Sequence, residues 1–266
     1  MAITPDLLAK IALDAGAIIM EIYNGAISVS QKDDESPVTE ADTAAEVFIL
    51  DALMKADPSL PIIAEESVSA GVLPTHGPRF ALVDPVDGTR EFIKRNGEFT
   101  VNIAIVEHGR PTMAVVYAPA MERLFVAAAH NHAWEASAKP GDSVPIARKR
   151  LTIRKAPAEG PIAFASKSHR SPETAALLKS YNITKTLSAG SSIKFCLIAA
   201  GEADLYPRLG RTMEWDTAAG QAIVEAAGGR VMTIDNTPLL YGKTARDYDN
   251  PHFIVFGDVS PQARLA

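Results

Sequence analysis

Apolar residues recur at helical spacing over residues 4–23, where Leu7, Leu8, Ile11, Ala15, Ile18, Ile19 and Ile22 form one face. Thr4 suits an N-cap and Pro5 the first helical position. A second helix is predicted after Thr39, through Ala41, Asp42, Val47, Leu50 and Leu53, ending near Asp57-Pro58. Residues 24–37 between them are polar, with the charged patch Lys32-Asp33-Asp34-Glu35, and are expected to form a loop or ribbon. Short apolar runs come next. Residues 61–64 read as a strand delivering Glu65-Glu66-Ser67, and 80–83 as a buried strand leading to Asp84, where Pro85 is expected to stop the ladder. Residues 100–107 and 112–117 predict a hairpin around His108-Gly109-Arg110-Pro111, and 124–129 with 133–136 continue the sheet.

Beyond the polar turn formers of residues 137–150, strands and helices alternate. Strands are predicted at 162–165, 203–207, 229–234 and 252–256, and helices at 172–181, 191–200 and 217–227. The order points to an α+β fold, a layered α/β sandwich, with subdomains 1–150 and 151–266. Composition is ordinary for a globular chain: 266 residues, 47% hydrophobic and 22% charged. The net charge of −6 argues against general affinity for nucleic acid or anionic membranes, so an anionic substrate needs local compensation by metal ions or a few Lys and Arg. The single cysteine, Cys196, excludes an internal disulfide, and its apolar run Phe195-Cys196-Leu197-Ile198 suggests a buried thiol rather than a nucleophile. Asp6, Lys10 and Asp14 interrupt the N-terminal apolar pattern, so no secretory leader is expected, and no run reaches membrane-spanning length. The chain reads as cytoplasmic. Peripheral contact with the cytoplasmic side of the inner membrane stays open, as does the choice between monomer and homodimer.

Three carboxylate clusters stand at predicted element ends: Glu65-Glu66, Asp84 with Asp87, and Glu214-Trp215-Asp216. Asp84 and Asp87 at the mouth of a strand either face water separately or hold a cation between them. Magnesium takes hard oxygen ligands, and one carboxylate can bridge two ions about 4 Å apart in a phosphate-cleaving centre. A plain strand-ending turn is the alternative, since Asp-Pro and Asp-Gly are ordinary turn formers. Glu66 and Glu214 read as supporting residues. If a helix starts after Asp87, the N–H groups of Gly88 and Thr89 would face a phosphate. Ser191 and Lys194 share a face at a predicted helix start, where anions are favoured, and Arg208 ends an apolar strand where it could grip phosphate. For each, a surface or capping role is the alternative. His130 and His132 lack a partner cluster and read as surface; Trp134 reads as packing.

The motifs Glu65-Glu66-Ser67, Asp84-Pro85-Val86-Asp87-Gly88-Thr89 and Trp215-Asp216-Thr217-Ala218-Ala219-Gly220 resemble the magnesium-dependent, lithium-sensitive phosphatases of the inositol monophosphatase family, over nearly the whole chain. The segments at 90–104 and 190–197 look closest to the bacterial 3′(2′),5′-bisphosphate nucleotidase branch (CysQ type). The resemblance implies a five-layer αβαβα sandwich. It implies that Glu65, Asp84 and the Val86 carbonyl hold a first Mg²⁺, and that Asp84, Asp87 and Asp216 hold a second, with a third ion left open. Residues 1–150 would then carry most ligands, and 151–266 Asp216 and the specificity residues. Thr89 and Asp42 would orient the attacking water. Glu65, Asp87, Gly88, Thr89 and Asp216 would also meet the substrate, and His169, Ser191, Lys194 and Arg208 would contact a nucleotide.

The implied reaction is removal of the 3′-phosphate from adenosine 3′,5′-bisphosphate, leaving AMP, in the context of sulfate assimilation, with the sulfated precursor as a further substrate. The rivals are an inositol- or sugar-phosphate phosphatase using the same centre, and a metal-dependent nucleotide sensor without turnover. Lys194 and Arg208 favour a substrate with a second phosphate, and the Thr89–Asp42 pair favours turnover.

Overall fold

The computed structural model describes residues 2–31, 37–129, 132–165, 171–183 and 185–261. Helix α1 (Pro5–Asn24) begins at the expected cap, with the Leu7 N–H donating to Thr4 Oγ1 at 3.2 Å. Strands β1 (Val29–Gln31) and β2 (Pro37–Thr39) pair as an antiparallel ribbon. The charged patch between them lies outside the described residues. Helix α2 (Glu40–Ala56) starts at Thr39 in a capping box.

Seven strands then form one sheet: β3 (Ile62–Ala64), β4 (Arg79–Asp87), β5 (Thr100–Glu107), β6 (Arg110–Ala118), β7 (Arg123–Ala129), β8 (His132–Ser137) and β9 (Lys149–Arg150), adjacent in that order. Short helices α3 (Glu65–Ser69) and α4 (Thr89–Ile93) come directly after β3 and β4. The second sheet has the order β11-β10-β12-β14-β13, from β10 (Ile162–Phe164), β11 (Lys185–Leu187), β12 (Leu205–Arg208), β13 (Arg230–Thr233) and β14 (Phe253–Phe256). Its helices are α5 (Pro172–Ser180), α6 (Ile193–Ala199) and α7 (Glu214–Ala226).

Side chains alternate across each strand, so both faces of the large sheet must be covered. On β5, Val101, Ile103 and Ile105 join the core made with α1 and α2, while Ala104 and Val106 join the core made with α6 and α7. Leu178 of α5 packs with Ala163, Leu205, Ile254 and Phe256 on the other face of the small sheet. The layers therefore run α1/α2, large sheet, α6/α7, small sheet, α5, the αβαβα sandwich that the resemblance implied. The middle layer is shared, because α7 packs against β4, β5 and β6 as well as β13.

Three expectations change. Pro85 does not end its strand: the β4–β5 ladder breaks after Asp84↔Asn102 and resumes at Asp87↔Thr100. A bulge absorbs the missing proline N–H and re-aims the Val86-Asp87 end of the strand. Helix α7 starts three residues before the predicted Thr217, so Glu214 and Asp216 lie in its first turn. Helix α6 starts at Ile193, leaving Ser191 outside it at φ 39°. Strands β9 and β11 and helix α3 have no counterpart in the sequence pattern, each being too short to show a period, whereas α4 is the helix considered after Asp87.

Candidate active site

The alternation on β4 decides where Asp84 points. Phe80 and Leu82 face the α6/α7 core, so Asp84 takes that face too, towards the first turn of α7. Oxygens of Glu65, Asp84 and Asp216 lie within 4.8 Å of one another. Asp84 is buried at 1% exposure, and its Oδ1 accepts the Val86 N–H across the bulge at 3.1 Å.

Asp42 and Asp216 are placed by one local rule. Each is the third residue of its helix and reaches back to the N–H of the residue before the helix. Thr39 N–H donates to Asp42 Oδ2 at 2.8 Å, and Met213 N–H to Asp216 Oδ2 at 2.9 Å. That hook holds one oxygen and leaves the other for the site. The other oxygen of Asp42 accepts the Thr89 hydroxyl at 3.1 Å, and Thr89 Oγ1 also lies 3.3 Å from the Val86 carbonyl. The expected Thr89–Asp42 pair is therefore assembled, with the Val86 carbonyl beside it.

Asp87 stands apart from that three-carboxylate group. Beyond the bulge, its carboxylate accepts the Ser192 N–H. Ser192 Oγ donates to Asn102 Oδ1 at 2.8 Å and meets Thr100 Oγ1 at 2.9 Å, which ties the loop before α6 to the end of β5. Gly190 N–H donates to Glu98 at 2.7 Å on the same loop. Gly88 takes φ 99°, and a Cβ there would come within 3.0 Å of the Glu98 carbonyl, so glycine is required at this turn.

A cleft of about 700 Å³ opens beside these residues, lined among others by Asp87, Gly88, Ser191, Lys194, Arg208 and Asp216. Arg208 gives one hydrogen to the Arg211 carbonyl at 3.0 Å, while its buried Nε has no hydrogen-bond partner among the described residues. Lys194 is arranged differently from the expected helix-start anion site. Its ammonium turns back onto the carbonyls of Ala189, Gly190 and Ser191, at 3.3, 2.8 and 2.5 Å, bracing the loop from below. His169, expected near a nucleotide, lies outside the described residues, as does His130. His132 is exposed, and Trp134 is buried under Arg148 at 4.3 Å, as expected. Cys196 is buried.

The electrostatics suit a cation. Burial first, then Glu65, Asp87 and Asp216, pushes the Asp84 carboxyl well above its ordinary range. Burial and Asp87 do the same to Asp216, and burial lifts Asp87 to about 6 against the opposing pull of Lys194. Among the described residues, no Lys or Arg forms a salt bridge with Asp84, Asp87 or Asp216, although ion pairs are plentiful elsewhere. A divalent cation would relieve this mutual repulsion, and hard carboxylate and carbonyl oxygens are the donors that magnesium prefers. The donor set fits.

Sequence reasoning missed Glu46, Asn102, Ser192 and Glu98. Glu46 stands one helical turn after Asp42, a spacing that could have revealed it. Asn102 needs the strand register before it can be placed opposite Asp84. Glu214 supports, as expected: fully buried, it accepts the N–H groups of Gly242 and Lys243 at 2.7 and 2.8 Å and pairs with the Lys243 ammonium.

Comparison with known proteins agrees. Residues 6–254 match the model of the inositol monophosphatase family. The chain is 44% identical over 253 residues to the 3′(2′),5′-bisphosphate nucleotidase CysQ of Escherichia coli K12, covering 94% of this chain and 98% of that one. It superposes on the crystal structure of CysQ from Bacteroides thetaiotaomicron with a TM-score of 0.79 and 39% identity, covering 96% and 97% of the two chains. An inositol monophosphatase from Anabaena shares the fold at a TM-score of 0.72 and 23% identity, covering 96% and 90%. The chain belongs to the inositol monophosphatase family.

Proposed function

We propose that this protein is a magnesium-dependent 3′(2′),5′-bisphosphate nucleotidase that hydrolyses adenosine 3′,5′-bisphosphate to AMP and phosphate. What carries this is near full-length identity of 44% with the E. coli nucleotidase, in a chain that keeps Glu65, Asp84 and Asp216 within 4.8 Å. Glu65, Asp84 and the Val86 carbonyl are assigned to one ion, and Asp84, Asp87 and Asp216 to a second. When bound, these ions supply Lewis-acid charge that acidifies water and offsets the charge on the phosphate.

The chain's own groups do the rest. Thr89 Oγ1 donates to Asp42, which leaves its lone pairs free to accept a hydrogen from water beside the cluster. Asp42, 1% exposed and lifted by burial, serves as the terminus for that proton. The Gly88 turn lets the chain approach a phosphate without a side chain in the way. Arg208, whose buried Nε has no hydrogen-bond partner among the described residues, is assigned to the phosphate that is not cleaved. Ser191 lines the nucleotide side of the cleft. His169 is assigned there from the family resemblance alone.

Arg208→Ala tests the assignment. Losing a charge-assisted hydrogen bond of about 1.5–3 kcal/mol should lower kcat/KM for adenosine 3′,5′-bisphosphate roughly ten- to a hundredfold. Hydrolysis of inositol monophosphate, which has no second phosphate, should change little. Equal losses on both substrates would move Arg208 to the reacting phosphate and remove this basis for nucleotide selection.

A further inference from the structure

Glu46 is a buried carboxylate that neither the fold nor the proposed chemistry accounts for. It lies on α2, 4% exposed, one turn beyond Asp42 on the inward face. Among the described residues, no Lys or Arg pairs with it. Instead it collects three hydrogens from the start of α3: Glu66 N–H to Oε2 at 2.7 Å, Ser67 N–H to Oε1 at 2.7 Å, and Ser67 Oγ–H to Oε1 at 2.6 Å. Burying a carboxylate is costly, and burial raises its pKa despite these bonds. A cheaper way to end β3 would use water or a neutral cap. The three bonds fix the backbone at the two residues after Glu65, which supplies one corner of the carboxylate group. No side chain of α3 is fully buried, and its one hydrophobic residue, Val68, packs partly buried against the core.

We infer that Glu46 is a positioning residue, mooring the first turn of α3 so that the Glu65 carboxylate is pre-set for a divalent cation. This rests on the metal assignment proposed above. Asp42 and Glu46 then divide one helix face: Asp42 holds Thr89, and Glu46 holds the Glu65 segment. Both tether to α2, whose Ala41, Ala45 and Ile49 are fully buried against the sheet. The helix thus serves as a common rail for two parts of the site that arrive from different strands.

The test is a Mg²⁺ binding isotherm by titration calorimetry on metal-stripped protein, for wild type, Glu46→Gln and Ser67→Ala. The glutamine keeps the shape but has one acceptor oxygen for hydrogens now shared by two. Changes behind a metal ligand typically weaken metal binding 10–100-fold, and about tenfold weakening is expected for Glu46→Gln. Ser67→Ala removes one of the three bonds and should weaken binding less, about two- to fivefold. Turnover at saturating Mg²⁺ should return most of the way to wild type, while the Mg²⁺ concentration for half-maximal rate shifts with the isotherm. A lower Tm with an unchanged isotherm in either variant would overturn the inference and make Glu46 a structural cap only. If Glu46→Gln does not fold, Ser67→Ala decides alone. A wild-type protein that binds no Mg²⁺ would overturn the metal assignment itself, whereas wild-type binding with unshifted variants would overturn only the role of Glu46.

Discussion

At the residue scale, Asp84 carries most of the account, because it is the one carboxylate assigned to both ions. Asp84→Asn exchanges a charged bridging ligand for a weak neutral one, and phosphate release should fall by at least about a thousandfold. The metal-free variant should melt higher than metal-free wild type, since a buried, repelled charge has been removed. Near-normal activity at millimolar Mg²⁺ would contradict the two-ion assignment. Thr89→Ala should lower kcat by about 10²–10⁴-fold while leaving Mg²⁺ binding close to wild type, because the hydroxyl is assigned to a proton rather than to the metal. These residues are legible in the sequence as motifs. Their supports are not: Ser192 reaches Asp87 across 105 residues of chain and Asn102 across 90, and nothing in local pattern announces such contacts.

At the scale of elements, helix periods and caps read off the sequence well, and the strand that bears the chemistry does not. Proline is expected to stop β4, but the sheet accommodates it with a bulge, and that bulge sends Asp84 and Asp87 to different partners. Helix α7 reads too short in the sequence, although the acidic Glu214 and Asp216 of its first turn suit the N-terminal end of a helix. Gly220 on this helix shows how closely it packs. A Cβ there would lie 2.6 Å from the Phe195 ring, itself wedged against Tyr206 and Phe253. Gly220→Ala should destabilise the protein by about 1–3 kcal/mol through overpacking, despite alanine's better helix propensity. A denaturation midpoint at or above wild type would show that α6 and α7 have slack.

At the scale of the whole molecule, the site is a meeting of layers. Glu65, Asp84 and Asp87 come from one end of the large sheet, Asp42 from the outer helix layer, and Asp216 and Arg208 from the middle layer and the small sheet. The alternating pattern predicts layered sheets and helices and the family resemblance their five-layer order, but neither predicts that α7 serves both sheets, which is a matter of long-range packing. Among the described residues, no helix is long and apolar enough to cross a membrane.

Metal-free stability should depend on pH in a definite direction. Burial raises the folded Asp87 carboxyl from 3.8 to about 6, and Asp84 and Asp216 move the same way. The folded state therefore keeps protons that the unfolded chain has released. Stability present below about pH 4 is lost as pH rises through about 6, and saturating Mg²⁺ should flatten or reverse that slope. Thermal melting in EDTA across this window, repeated with Mg²⁺, reads it directly. A metal-free Tm that rises through the window would contradict the electrostatic description.

The central claim is that the carboxylate centre, loaded with magnesium, removes phosphate from a nucleotide carrying two. Its most direct test is steady-state phosphate release from adenosine 3′,5′-bisphosphate, inositol monophosphate and fructose bisphosphate, with Mg²⁺ and with EDTA, and with the nucleotide product identified. The account predicts the highest kcat/KM for the adenosine bisphosphate, AMP as its product, and no turnover in EDTA. Preference for inositol monophosphate, or turnover undiminished by EDTA, would contradict it.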